Sequence, residues 1–478
     1  MNWILIGVLS YVGLQLLIGM AVSFGVKTED DYLLAGRRLG YWLGSFSVFA
    51  TWFGAETCIG SAGKVYEGGL SSGNAEPFGY ALALLLTGLI VAVPLWRSGI
   101  TTVADLLRKR FSPLVETLAV LLFVPSAVMW AAAQIKAFGS ILSVAGNVEV
   151  QVATAIATLI VIVYTVSGGL MADAVTDLIQ GITVIAGMLV ILLFVVAEHG
   201  GLTAAWHSID PAKLRLFPAG QSLLARLDAW AIPIFGSMVA PELISRVLAT
   251  RSAHVSRTSC LIAAAIYLLV GLIPVTVGLL AVGLQPDIAA TDNVLPHIAE
   301  TYLPPVLYVA FSGALVSAIL STVDTALLVA GSLCCHNLIF RFVPNLSESR
   351  KVRVTRIGVL VSGLVAYGLA LRAGSVFELV LEASALGTAG MFVVVMFGLF
   401  TPFGRQAAAL AALVSGTGLY FYATFLAGDD GIAGGRYTPA VMAALLAYVV
   451  VAAVEHLVWR LPLVRDRPGL LSHGVASP

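Results

Sequence analysis

Long apolar stretches, separated by short polar connections, repeat along the whole chain. Each stretch holds about 20 residues or more, the length that a helix needs to cross the apolar core of a bilayer at about 1.5 Å per residue. The alternating ten-residue segments typical of membrane strands are absent from the sequence. The pattern predicts an all-α polytopic membrane protein with thirteen spans. The predicted spans are 3–25, 41–66, 75–96, 112–143, 149–167, 171–197, 226–250, 255–282, 303–339, 352–372, 375–399, 402–427 and 436–459.

Composition and charge add an orientation to this pattern. Hydrophobic residues make up 59% of the chain and charged residues only 11%, against about a quarter in soluble domains. The 26 basic and 26 acidic residues cancel, so nothing indicates a nucleic-acid partner. With the loop after the first span in the cytoplasm, 19 Lys and Arg residues face that side and 6 the other. The positive-inside rule then predicts an external N-terminus, a cytoplasmic C-terminus and a location in the cell membrane, with the lipid bilayer as partner.

Two of the predicted spans carry helix breakers and one carboxylate near the middle. In 41–66 a glycine lies two residues before Glu56, and in 226–250 a proline directly precedes Glu242. Each of these spans opens a block of five. Paired interruptions at corresponding places of two halves are typical of the binding sites of secondary transporters. An unwound stretch leaves backbone carbonyl oxygens without helical partners, and a cation or a polar solute can supply those partners.

Structural roles are the alternative for both segments. Gly and Pro are frequent in membrane helices, where they allow kinks and close packing. The carboxylates could form ion pairs, Glu56 with Lys136 and Glu242 with Arg246. A charge near the bilayer centre costs at least about 2.5 kcal/mol on insertion scales, and we therefore favour a solute or ion-pathway role for Glu56.

Three residues of the predicted span 303–339 have the spacing of a cation site. Ala318, Ser321 and Thr322 stand at i, i+3 and i+4 and share one helical face. One carbonyl and two neutral hydroxyls suit a hard monovalent cation, which needs several oxygen ligands. Two carbonyls from an unwound helix would bring the number of ligands to about five. The alternative is that Ser and Thr bond only to the carbonyl four residues earlier in their own helix.

Several motifs, taken together, resemble those of the sodium:solute symporters, over nearly the whole chain from the first helix to about 427. These motifs are Ala35-Gly36-Arg37-Arg38, Gly168-Gly169-Leu170, Thr176-Asp177-Leu178-Ile179-Gln180, Arg246-Val247-Leu248-Ala249 and Ser321-Thr322-Val323-Asp324-Thr325. The resemblance implies a five-plus-five inverted-repeat core, of the type named for the leucine transporter, with one extra helix before it and two after it.

This resemblance implies a division of the chain and a set of ion-binding residues. The divisions are an N-terminal helix and loop (1–40), a first repeat (41–197), an external loop (198–225), a second repeat (226–399), two C-terminal helices (400–459) and a cytoplasmic tail (460–478). The implied sodium ligands are Ala50, Phe53, Ala318, Ser321 and Thr322. Asp177 matches a family aspartate near the cytoplasmic ion exit. Its alternative role is a carboxylate that stabilises a helix start.

Within the family, Thr51-Trp52, Pro125 and Met129-Trp130-Ala131-Ala132-Ala133 are locally similar to the high-affinity choline transporters. In that group aromatic rings surround a quaternary ammonium, as cation–π attraction favours. The implied solute-binding residues are Trp52, Glu56, Thr57, Trp130, Gln134 and Ala240. Ala240 stands where a third tryptophan is expected, and Ala55-Glu56-Thr57 is closer to sugar-transporting members, so choline is one possibility among several.

We therefore expect a sodium-coupled secondary symporter that imports a small polar or cationic organic solute by alternating access. Sodium is the expected coupling ion, and neither a cofactor nor enzymatic activity is expected. The chain has no Gly-x-x-x-x-Gly-Lys-Ser/Thr loop, which argues against an ATP-driven pump within this chain. Two alternatives stay open: proton-coupled transport with Glu56 or Asp177 as the proton carrier, and a membrane sensor on a transporter scaffold.

Overall fold

The computed structural model describes residues 3–72, 76–217, 220–288, 291–343, 345–427, 431–432 and 434–460. The predicted tail, 460–478, lies outside these residues except for Arg460. Within the described ranges the chain forms helices and no strands, with only two isolated bridges. The all-α prediction is confirmed.

Helices of the first half are numbered here in chain order. They are α1 (Trp3–Ser23), α2 (Tyr41–Trp52), α3 (Ser61–Gly68), α4 (Phe78–Leu86), α5 (Ala92–Arg97), α6 (Pro113–Gly146), α7 (Val150–Gly168) and α8 (Leu170–Glu198). π-Helical turns join α2 to α3 (Glu56–Gly60) and α4 to α5 (Thr87–Val91). The connections contain short helices at Glu29–Leu34, Ala35–Arg37, Leu70–Ser72, Val103–Arg110, Leu202–Ser208 and Pro211–Leu214.

The second half continues the same architecture. Its helices are α9 (Leu223–Ala231), α10 (Pro241–Ala249), α11 (Ala253–Leu284), α12 (Pro305–Ser332), α13 (Glu348–Ala370), α14 (Val376–Ala385), α15 (Thr388–Phe400), α16 (Gln406–Phe425) and α17 (Tyr437–Arg460). A π-turn follows α9 (Ile232–Gly236), and another extends α12 (Leu333–Ile339). Shorter helices lie at Thr291–Asn293, Val294–Tyr302 and Phe340–Phe342.

The number of spans depends on how one broken helix is counted. Among the described residues, 11 helices are long and apolar enough to cross a membrane, and the pair α14–α15, bent by 42°, makes 12. The predicted span 41–66, which is divided into α2, a π-turn and α3, is not one of them. The number of thirteen spans therefore stays a prediction. It requires that the broken segment 41–66 cross the bilayer as one unit.

Local sequence explains where the long helices begin. The Ser112 hydroxyl accepts a hydrogen bond from the Val115 N–H (3.3 Å), and Pro113 occupies the first turn of α6. Ser252 accepts from the Val255 N–H (3.2 Å) at the start of α11. Such caps satisfy backbone donors that a helix cannot satisfy by itself.

Small residues let α2, α8 and α12 approach closely. A Cβ added at Gly187 of α8 would lie 2.4 Å from the Ala314 Cβ of α12, and one at Gly181 would lie 2.6 Å from the Phe46 ring of α2. Close backbone approach through small residues is the usual way in which membrane helices associate. It brings the polar side chains of these three helices into contact inside the protein, away from lipid.

Candidate functional site

The first helix interruption lies at Phe53 and Gly54. Phe53 has φ −83° and ψ 66°, outside the helical region, and the Gly54 N–H bonds to the Trp52 carbonyl at 3.0 Å. In a continuous helix that N–H would bond to the Ala50 carbonyl. The interruption therefore removes the helical partner of the Ala50 oxygen, as the sequence predicts.

Thr322 of α12 meets this freed carbonyl. Its hydroxyl oxygen lies 3.3 Å from the Ala50 oxygen and 3.1 Å from the Ala318 oxygen. Ala50, Ala318 and Thr322 are all buried. Three of the five predicted sodium ligands thus converge on one point between the broken helix and α12, and Phe53 lies at the break itself.

Ser321 and Asp177 form the next polar layer. The Ser321 hydroxyl donates to Asp177 Oδ1 (2.5 Å), and the Ser47 hydroxyl donates to Asp177 Oδ2 (2.6 Å). Asp177 is fully buried. The aspartate expected on the ion exit path therefore contacts a predicted sodium ligand directly, while the Ser321 hydroxyl points to this carboxylate.

Glu56 is held by a side chain of α6. The Gln134 amide N–H donates to Glu56 Oε2 (2.8 Å), and Gln134 Oε1 accepts from the Ala55 N–H (2.8 Å). The Lys136 ammonium instead contacts the carbonyls of residues 373 and 374. The structural alternative for Glu56, an ion pair with Lys136, is therefore not present.

A side chain at Gly54 would displace its neighbours in this arrangement. An added Cβ would lie 2.8 Å from Glu56 Oε2, 2.8 Å from Thr322 Oγ1 and 3.0 Å from Gln134 Oε1. Glycine at this position lets three oxygen-bearing side chains close around the interrupted backbone.

The second interruption lies before α10. Ala240 is extended (φ −62°, ψ 128°), and its N–H bonds to the Ser237 carbonyl at 3.2 Å before Pro241 opens the new helix. Next to this break is a cavity of about 20 Å³, room for about one water molecule. Its walls must separate before a larger solute enters. The lining residues are Trp52, Tyr80, Phe123, Ser126, Trp130, Gly236, Ser237, Ala240, Pro241, Glu242, Ala383, Ser384 and Thr388.

Two tryptophans form one wall of this cavity. The rings of Trp52 and Trp130 meet edge to face, with centroids 5.1 Å apart. The Trp52 indole N–H donates to the Ser237 hydroxyl at 2.9 Å. The structure thus brings together Trp52, Trp130 and Ala240, three of the solute-binding residues that the family resemblance implies.

The other three proposed solute-binding residues lie outside the cavity lining. Gln134 and Glu56 bond to each other, as described above. The Thr57 hydroxyl lies 2.5 Å from the Tyr267 hydroxyl and 3.2 Å from Glu76 Oε1, within a separate buried cluster.

Sequence reasoning missed several lining residues. Tyr80, Phe123 and Ser126 carry no local signal that separates them from ordinary residues of an apolar helix. Ser384 and Thr388 lie on either side of Gly387, at the bend between α14 and α15. This glycine between two hydroxyl residues is the sequence feature that could have indicated them.

A buried arginine ties several helices together. The Arg246 Nε donates to the Thr51 hydroxyl (3.1 Å), and Nη2 contacts Asp173 and the Thr325 hydroxyl. Arg246 therefore pairs with Asp173, and no ion pair between Arg246 and Glu242 occurs among the described residues. The guanidinium thus connects α10 to α2, α8 and α12. Its Nη2 lies 3.9 Å from Asp177 Oδ2.

Divalent metal binding has no support in the part of the chain that is described, since no cluster of three or more His, Cys, Asp or Glu side chains is arranged for a metal ion.

Comparison with known proteins identifies the family. The model of the sodium:solute symporter family matches residues 32–416. The chain belongs to the sodium:solute symporter family. Its 11 or 12 candidate spans among the described residues agree with a multi-pass membrane transporter of this family.

Relatives of this symporter include two choline transporters. High-affinity choline transporter 1 of Drosophila melanogaster is 30% identical over 403 residues, a match that covers 78% of this chain and 63% of the relative. High affinity choline transporter 1 of Homo sapiens is 28% identical over 497 residues, covering 95% and 84%. The chain thus spans less than two thirds of the Drosophila protein.

Solved structures agree on the fold. A Na+-coupled sialic acid symporter in its substrate-bound outward-open state superimposes with a TM-score of 0.81 at 19% identity, over 94% of this chain and 97% of that chain. The closed form of Mhp1, a nucleobase-cation-symport-1 family transporter, gives a TM-score of 0.60 at 13% identity, over 91% and 97%. These similarities show the fold of sodium-coupled transporters and do not identify the solute.

Proposed function

We propose that this symporter imports a small organic cation together with sodium held by Ala50, Phe53, Ala318, Ser321 and Thr322. The observation that carries the proposal is the position of Thr322 Oγ1, within 3.3 Å of the Ala50 oxygen and 3.1 Å of the Ala318 oxygen. Oxygens from two separate helices converge there. A hard cation binds best where several oxygens replace its hydration shell.

Sodium at this position couples to the solute through the broken helix. The ion bridges the Ala50 carbonyl and α12, so its binding stabilises one packing of α2 against α12. Trp52, two residues further along α2, lines the solute cavity. By linkage, sodium that stabilises this arrangement raises the affinity for solute, and solute raises the affinity for sodium by the same factor.

The cavity walls favour a cation. Aromatic faces attract organic cations through their quadrupole, and Trp52, Trp130, Tyr80 and Phe123 supply such faces. The choline transporters among the relatives act on a cation of this kind. Ala240 leaves space beside the rings, so the solute need not be choline itself.

Orientation follows from the charge distribution. The basic residues predict that the N-terminus is external and that α10 and the start of α8 lie toward the cytoplasm. Asp177 and Arg246 then lie on the cytoplasmic side of the sodium site. We assign Asp177 to the exit path of the ion. Rocking of the helix bundles against each other then opens the site alternately to the two sides of the membrane.

Reconstituted protein tests the proposal. Purified full-length protein in proteoliposomes is offered radiolabelled choline, betaine, proline, a hexose and a monocarboxylate, with and without an inward sodium gradient. We expect gradient-driven uptake of a cation. Cation uptake in sodium-free buffer driven by a proton gradient would favour proton coupling. Absence of sodium-dependent uptake or binding for every member of the panel would count against this function and leave the sensor alternative.

A further inference from the structure

The solute cavity contains a single side chain with a formal charge, that of Glu242. Glu242 lies in the first turn of α10, directly after the second helix interruption, and only 3% of its surface is exposed. A helix start favours a carboxylate at this position. It does not explain why the carboxylate lines a cavity with aromatic walls.

The Glu242 carboxylate lacks donors from its neighbours. Among the described residues, no other residue donates a hydrogen bond to it. Arg246, one turn along α10, gives its guanidinium to Thr51, Asp173 and Thr325 instead. A carboxylate oxygen that lines a cavity without a donor gains from a hydrogen bond, so a bound solute that donates there is favoured.

Several other polar groups of the cavity donate their hydrogens to the protein itself. The Ser126 hydroxyl donates to the carbonyl of residue 383, and Thr388 donates to the carbonyl of residue 384. The Trp52 N–H donates to Ser237. The Trp130 N–H, which no described residue accepts, is a neutral donor. Among the lining residues, Glu242 is therefore the acceptor that offers a formal charge to a solute that brings hydrogen-bond donors.

We propose that Glu242 selects organic cations that carry an N–H on the charged nitrogen, such as protonated primary, secondary or tertiary amines, over quaternary ammonium ions. The selection rests on the proposed function, because it assigns the solute to this cavity. A protonated amine gives Glu242 both a charge and a donated hydrogen bond, whereas a quaternary ammonium gives only the charge. Charge-assisted hydrogen bonds are about twice as strong as neutral ones.

A matched series of solutes tests the selection without any mutation. Binding of radiolabelled N,N-dimethylaminoethanol to the purified full-length protein is measured near neutral pH in saturating NaCl. Unlabelled choline and its uncharged analogue, in which carbon replaces nitrogen, serve as competitors. We expect dimethylaminoethanol to bind roughly tenfold or more tightly than choline, the size of one hydrogen bond to a charged group, and the uncharged analogue to bind most weakly.

Variants then assign the preference to one residue. In Glu242→Gln we expect the preference for the amine over choline to disappear, and in Glu242→Asp to persist with reduced size. The matched control is Glu378→Gln, an exposed glutamate that contacts Lys64 outside the cavity, which keeps the wild-type ratio.

Two results overturn the inference. Choline that binds as tightly as the amine in the wild-type protein excludes it, and so does a preference that survives in Glu242→Gln. Binding of radioactive sodium, measured in parallel, distinguishes failure of the amine preference from failure of the proposed function. Sodium binding that is lost in Thr322→Ala supports the ion site even when the amine preference fails, whereas wild-type protein that binds no sodium contradicts the proposed function itself.

Discussion

Asp177 Oδ1 lies 2.5 Å from the hydroxyl oxygen of Ser321, so a fully buried carboxylate contacts a residue of the proposed sodium site. Its other oxygen accepts from Ser47 of the broken helix. A carboxylate in this position attracts a cation toward itself, and it contacts both helices that carry the proposed sodium ligands. Asp177 is therefore one layer removed from the proposed ion site and connected to it by Ser321.

Asp177→Asn tests this role, because it removes the charge and keeps the shape. We expect the maximal rate of sodium-driven uptake to fall roughly tenfold, equivalent to about 1.4 kcal/mol on the barrier, with a smaller change in the sodium concentration for half-maximal uptake. Initial rates in proteoliposomes over a range of sodium concentrations measure both. An unchanged maximal rate would exclude Asp177 from the exit path.

Thr322→Ala removes a hydroxyl that faces two carbonyls. We expect the sodium concentration for half-maximal uptake to rise roughly tenfold, as loss of about 1.4 kcal/mol of binding energy predicts. Ser321→Ala should have a smaller effect, because that hydroxyl points to Asp177, and Thr322→Ser should be close to the wild type. Thr158→Ala is the matched control, since among the described residues the buried Thr158 hydroxyl bonds only to the Thr154 carbonyl of its own helix. Equal sodium dependence in Thr322→Ala and the control would contradict the site.

Gly54→Ala places a methyl group 2.8 Å from both Thr322 Oγ1 and Glu56 Oε2. Overpacking of this kind costs about 1–3 kcal/mol, so we expect lower thermal stability of the purified protein and loss of sodium-dependent uptake. Gly13→Ala of α1 is the control, because nothing lies within 4 Å of its added Cβ. A Gly54→Ala protein with wild-type melting temperature and uptake would show that the interruption tolerates a side chain.

Trp52→Phe separates the aromatic face from the indole hydrogen bond. The variant keeps a ring and loses the N–H donated to Ser237, whereas Trp52→Ala loses both. Cation–π attraction contributes about 0.5–2 kcal/mol, so we expect cation binding to weaken a few-fold in Trp52→Phe and much more in Trp52→Ala. Trp206→Ala, an exposed tryptophan in a loop helix, should bind as the wild type does. Equal losses in both Trp52 variants would assign the tryptophan a packing role.

The sequence best predicts those structural features whose signal is local. Breakers near Phe53 and Ala240 predicted both interruptions, because Gly and Pro act on their own stretch of backbone. The spacing of Ala318 and Thr322 predicted a shared face, since helical periodicity fixes it. Glu56 and Thr57 show the limit of this approach. Nothing in the residues next to Glu56 and Thr57 indicates that their side chains would form hydrogen bonds with Gln134 and Tyr267.

Hydrophobic length and helix breakers already specify a bundle of membrane helices with two broken segments, because both signals act within one segment. Tertiary packing was needed to show that Glu242 lines the cavity beside the second interruption, while Glu56 bonds to Gln134 and lies outside its lining. Both are carboxylates beside an interruption, and they look alike along the chain. Their environments differ because distant helices pack against them, and packing between helices depends on side chains far apart in sequence.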